Sequence, residues 1–134
     1  MTCITPAGKG LKHLDVASTI DVDKCKLGRG ASARHSVKVT NLAAVEIEVG
    51  IECACPDGAG LEHACGNPWK PEPRELASSL HGVDSTTFDE QLTAATDAGA
   101  PARQQLRLTV RRRRLYAKEW GGSKTIPLRD LEVV

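Results

Sequence analysis

From Val45 to Cys53 small apolar residues hold every odd position, while Glu46, Glu48 and Glu52 stand between them. A period of two places Val45, Ile47, Val49, Ile51 and Cys53 on one face of a strand and the acids on the other. One dry face and one wet face is the pattern of an antiparallel sheet packed on a single core. The same alternation recurs at Leu14, Val16 and Ile20, and across residues 35–40. Residues 41–44 then link two strands, as a hairpin or as an arch crossing between sheets. Near the C-terminus Leu106, Leu108 and Val110 alternate with Arg107 and Thr109. After Gly121-Gly122 the chain resumes at Ile126 and Leu128, which predicts a C-terminal β-hairpin over 104–134.

Two stretches depart from this rhythm. Residues 1–10 read as a leader arm. Residues 56–101 read as a long loop and helical insertion, with four prolines between Pro56 and Pro73. Two short helices are predicted inside it. One starts near Pro73, with Leu76 and Leu80 a turn apart. The other starts at the capping box Thr87-Phe88-Asp89-Glu90, carries Phe88, Leu92 and Ala95 on one side, and stops at Gly99/Pro101. The expected fold is therefore one mainly β domain over 1–134. It is an antiparallel β-sandwich, immunoglobulin-like or a distorted barrel, with a long insertion carrying one or two short helices.

The stretch Val37-Lys38-Val39-Thr40-Asn41, followed by Ile47-Glu48-Val49 and Cys53-Ala54-Cys55-Pro56, resembles the V-x-V-T-N … I-x-V rhythm of immunoglobulin-like domains. The resemblance spans under a fifth of the chain. It implies a sandwich and transfers no functional residue.

Composition changes this picture only in part. Aromatics are 3% of 134 residues, so the core must be built from Val, Leu, Ile and Ala. A net charge of +1 gives no global pull toward nucleic acid or membrane. The charge is unevenly placed, however. Acids dominate 68–100, whereas nine bases face only Glu119, Asp130 and Glu132 over 101–134. No signal-peptide pattern and no run of roughly 18 apolar residues is present, which predicts neither secretion nor a membrane partner. With an odd five cysteines, a reducing site is expected: the cytoplasm, or a virion assembled there.

Two clusters carry candidate chemistry. Cys53, Cys55, His63 and Cys65 form a CxC…HxC set that would hold one structural zinc across a short loop. Plain core cysteines, with no cofactor, and a Cys55–Cys65 disulfide are the other readings. The second cluster is the run Arg111, Arg112, Arg113 and Arg114. If the alternation of Leu108 and Val110 continued, Arg112 and Arg114 would face the core. That predicts a bulge, a bend, or a strand running out beyond the core. Such arginines read as a solvated edge that discourages strand-to-strand aggregation, as a site for an acidic protein partner or the chain's own acidic segment, or, with Arg107 and Lys118, as a contact for a phosphate backbone.

No nucleophile, base or paired carboxylates stand at a recognised spacing, so no enzyme and no small-molecule substrate are expected. The predicted role is a non-enzymatic structural or interaction subunit, partnered by protein subunits in a homo-oligomer or larger assembly, with a virion or phage particle the most specific form. The alternative is a zinc-stabilised nucleic-acid-binding module using the Arg111–Arg114 strand.

Overall fold

The computed structural model describes residues 2–56, 58, 60–97 and 102–134. It contains strands β1 (Cys3–Leu11), β2 (Leu14–Ile20), β3 (Lys26–Leu27), β4 (Ser32–Asn41), β5 (Ile47–Ala54) and β6 (Leu61–His63). These are followed by β7 (Arg74–Leu76), β8 (Asp84–Ala94), β9 (Ala102–Gln104), β10 (Arg107–Arg114), β11 (Gly122–Pro127) and β12 (Leu131–Val133). A five-stranded sheet runs β1-β2-β4-β8-β6, and a four-stranded sheet runs β11-β10-β5-β7. A small third sheet, β3-β12-β9, holds the parallel strand pair β3 with β12. The fold is a mainly β, antiparallel sandwich.

The two large sheets share one core. Val37, Val39, Phe88 and Leu92 come from one side, and Ile47, Val49, Ile51, Leu108 and Val110 from the other. In β5 the expected alternation holds from Ile47 to Cys53, with Glu48 and Glu52 left half-exposed. Val45 lies before the strand and is exposed. The link at 42–46 is an arch, because β4 and β5 belong to different sheets. Asn41, fully buried, holds it. Its Nδ2 donates to the carbonyls of Val45 (3.0 Å) and Ala77 (2.8 Å), and its Oδ1 accepts from the Ala43 amide at 2.9 Å.

The insertion and its helices are not what forms. Among the described residues there is no α-helix, only a 3-10 turn at Asp23–Cys25. The segment expected to be helical after Thr87 is β8, paired in register with β4 from Asp84↔Asn41 to Thr93↔Ser32. The spacing of Phe88 and Leu92 is four residues, two strand periods as well as about one helical turn, and threonine-rich sequence favours the strand. The first predicted helix is replaced by β7, paired with β5 at Ile47↔Leu76. The stop at Gly99/Pro101 lies outside the described residues.

The proline-rich stretch also returns to the sheet. Trp69 exchanges two 2.8 Å backbone bonds with Cys53 and buries its ring. The 1–10 leader is likewise an edge strand, β1, antiparallel to β2 and tied to the 3-10 turn by a Cys3–Cys25 disulfide.

The arginine run contains no bulge. Its register with β5 is unbroken from Arg107↔Ala54 to Arg114↔Ile47, and β10 pairs with β11 as a hairpin over 107–127, while β12 leaves it for the third sheet. The alternation therefore continues: Arg112 stands opposite buried Val49 and Arg114 opposite Ile47 at the margin of the core, and Arg112 donates from Nη1 to the Lys12 carbonyl of the β1–β2 turn.

Candidate functional site

Three features stand out: a buried histidine–cysteine centre, an arginine–tryptophan stack, and one end of the sandwich.

The centre is built where three strands meet. His35 on β4 and His63 on β6 both point inward beside β8, while Cys53 is buried on β5 and Cys55 is buried just past its end. Ser18 Oγ lies 2.8 Å from His35 Nε2, His35 Nδ1 lies 2.9 Å from His63 Nε2, and His63 Nδ1 lies 3.7 Å from Cys55 Sγ. The two imidazoles stack at 5.2 Å, and Trp69 packs against them at 5.5 and 5.1 Å. Each neutral imidazole has one N–H and one lone pair, so a single proton orientation along this row satisfies every ring nitrogen.

Burial keeps the centre uncharged. It pushes His35 down to about 3, helped by the neighbouring His63 charge. It pushes His63 down to about 4 against an opposing pull from Glu90. The Cys55 thiol is pushed up to about 11 by burial and then by Glu62, and Cys53 is raised further by burial.

The expected Cys53, Cys55, His63, Cys65 quartet is not gathered. Cys65 is exposed, and its thiol donates to the Glu90 carboxylate. That contact raises the thiol's pKa and holds Glu90 below its ordinary value. Cys55 and Cys65 are both free, so the alternative disulfide does not form. Instead, His35, Cys53 and His63 each offer a donor atom within 4.8 Å of the other two. His35 escaped the sequence reading because it lies 28 residues from His63 and meets it only through the β4–β8–β6 register. A second missed residue is Asn67, whose amide imitates a strand partner: Cys55 N donates to its Oδ1 at 2.8 Å and its Nδ2 donates to Cys55 O at 3.1 Å.

On the outer face of the four-stranded sheet, Trp120 lies under two guanidiniums, Arg111 at 4.7 Å and Arg113 at 4.4 Å from its ring. Arg113 also grips Glu48 through two 3.1 Å bonds. Gly50 makes the seat: a Cβ there would stand 3.2 Å from Trp120 Cη2. A glycine interrupting the row Glu46, Glu48, Glu52 was the available signal. Arg107 sits at the far end of β10, about 23 Å from Arg114 at 3.3 Å per residue, and lines a recess with Cys55. The predicted basic residues therefore do not form one patch.

The Arg114 end of the sandwich gathers the turns at 12–13, 42–46, 77–83 and 115–121. Leu42 N donates to His13 O, and Ser79 N donates to Ala43 O, both at 2.9 Å. Leu42, Val45, Leu80, Val83 and Tyr116 are exposed here, Leu80 at 69% and Tyr116 at 91%. They are five of the seven large apolar side chains exposed among the described residues. His13, Val45 and Arg112 to Arg114 line a cavity of about 300 Å³ beside them.

No family model matches the sequence, and no curated protein matches it. Among solved structures it is similar to part of E. coli alpha-2-macroglobulin, at 15% identity and a TM-score of 0.56, over 89% of this chain and 6% of that one. It is also similar to the yeast GGA1 GAE domain, at 15% identity and 0.49, over 92% and 97% of the two chains. The ASH/PapD-like domain of human CEP192 matches at 10% identity and 0.46, over 96% and 89%. The chain thus spans a small fraction of the macroglobulin, and at this identity that likeness speaks for the β fold alone.

Proposed function

We propose that this chain is a non-enzymatic interaction module that docks a protein partner on the Arg114 end of its sandwich, as one subunit of a larger assembly. The observation that carries the reading is the gathering of exposed apolar side chains on three turns at one end of the sandwich, next to Arg112, Arg113 and Arg114. Scattered surface leucines and valines are ordinary, whereas a contiguous set rimmed by polar groups marks a contact surface. Rigid strands present these turns, as functional loops generally require. Exposed Arg114, with Lys12 and Lys118 nearby, points to an occupant that is an apolar protein surface carrying carboxylates at its rim. A second copy meeting the same end face to face would oppose arginine to arginine. The neighbours in a homo-oligomer or virion would therefore have to dock head to tail.

Two observations weigh against the rival roles. Ser18 and His35 have the separation of a nucleophile and its base, but both are buried and closed to substrate. The nucleic-acid reading needs free guanidiniums, and Arg111, Arg112 and Arg113 are engaged within the chain.

The test pairs native mass spectrometry with binding of an amphipathic acidic peptide, using the wild type and Leu80→Asp/Val83→Asp. The wild type should associate or bind peptide in a salt-sensitive way, and the double variant should lose this with an unchanged melting temperature. A wild type that stays monomeric and ignores the peptide, or one that instead retains an oligonucleotide steeply dependent on salt, overturns the proposal.

A further inference from the structure

The centre formed by His35, His63 and Cys53 has no part in the docking surface. We infer that it is a binding site for one soft monovalent metal ion, Cu(I), held by two imidazole nitrogens and one thiolate. Three buried residues from three strands bring their donor atoms within 4.8 Å of one another. Trigonal coordination at bond lengths of about 2.0–2.3 Å asks for donor separations of about 3.5–4 Å. Binding therefore asks the facing His35 Nδ1 and His63 Nε2, now 2.9 Å apart, to open slightly around the ion while Cys53 Sγ stays within reach of both.

Charge selects the metal. A dry core tolerates a neutral complex and rejects a net charge. One thiolate with Cu⁺ is neutral, whereas the same three donors with Zn²⁺ carry one positive charge. Thiolate and imidazole ligands also suit Cu(I).

The surroundings fix the ligand geometry. The facing atoms His35 Nδ1 and His63 Nε2 are 2.9 Å apart, leaving His35 Nε2 to Ser18 Oγ and His63 Nδ1 to Cys55 Sγ. Metal-ligating histidines usually have such a partner on the remaining nitrogen, which sets the tautomer. In the metal-free protein the histidine pair shares a hydrogen bond. On binding, the His35 proton sits on Nε2 and is donated to Ser18, His63 keeps its proton on Nδ1, and both facing lone pairs turn to the metal. The Cys53 thiol loses its proton to solvent as its sulfur bonds copper, so one proton is released per ion bound and no electron moves. Cys55 marks the way in, since it also lines an open recess with Pro56, Gln105 and Arg107.

The experiment uses the full chain carrying Cys65→Ser, which removes the exposed thiol. The protein is titrated anaerobically with Cu(I) against a coloured Cu(I) chelator. One equivalent should bind, with Trp69 emission quenched, and X-ray absorption should report two nitrogens and one sulfur at the metal. Cys53→Ser should lower affinity at least 100-fold while circular dichroism confirms its folding. Should that variant not fold, the absorption spectrum of the parent decides alone. No binding, two sulfurs at the metal, preference for zinc with two protons released, or full binding by a folded Cys53→Ser variant each overturns the assignment.

Discussion

His35 and His63 share a hydrogen bond of 2.9 Å inside a core that admits neither of them as a cation. Both have pKa values depressed by burial, to about 3 and about 4, against an ordinary 6.5. Above 6.5 they are neutral in folded and unfolded chains alike and do not tilt the balance. Below it the unfolded chain takes up protons that the folded one refuses, so stability falls with falling pH. The decline should run at up to about 1.4 kcal/mol per pH unit for each histidine and level off near the folded values. Urea midpoints measured across that window check this, and a folded His63→Gln variant should show a flatter slope.

Asn41 joins the arch after β4 to the turn after β7, through three hydrogen bonds made by one buried amide. Asn41→Ala strands two carbonyls and one amide, so it should cost about 2–4 kcal/mol in chemical denaturation. It should also loosen the turns that carry Leu42 and Leu80, weakening peptide binding at temperatures where the variant is still folded. Unchanged stability would show that the arch stands without it.

Trp120 has the opposite economy, since it stabilises from outside the core. Its two guanidinium contacts predict a loss of about 1–2 kcal/mol for Trp120→Ala. Gly50→Val should cost a similar amount by lifting the ring off its seat, and should shift Trp120 emission toward the solvent-exposed wavelength in a Trp69→Phe background.

The five cysteines sort into three reactivities. Under native, non-reducing conditions only Cys65 should alkylate readily, because Cys53 and Cys55 are buried and Cys3 is bonded to Cys25. Denaturation without reductant should expose three thiols, and reduction all five. Mass spectrometry counts them directly. Breaking the disulfide closes no loop in the unfolded chain and should cost about 3 kcal/mol for this 22-residue separation.

How much of this was legible depends on the range of the signal. β5, the start of β10 and the alternation in β4 announced themselves, because strand period and burial act on adjacent residues. β8 did not, because Phe88 and Leu92 satisfy helix and strand spacings together and only pairing with β4 decides between them. The arginines predicted a bulge, a bend or an overrun, and the unbroken register with β5 excludes the bulge and sets Arg112 and Arg114 opposite Val49 and Ile47 at the margin of the core. Cys53, Cys55 and His63 were recognisable as a group, while His35 and the exclusion of Cys65 depended on sheet order. The disulfide was missed for the same reason: an odd cysteine count argued against a framework, yet β1 as an edge strand carries Cys3 to Cys25.

The pairing of β5 with β10 also governs how the chain comes off the ribosome. Residues 47–54 are the most apolar strand of their sheet, and their central neighbour, residues 107–114, is synthesised more than fifty residues later. At roughly 5–20 residues per second that leaves several seconds in which a sticky segment has an open flank. During that interval a nascent-chain chaperone, or the temporary shelter of the β2–β4–β8 layer, has to stand in for the missing hairpin.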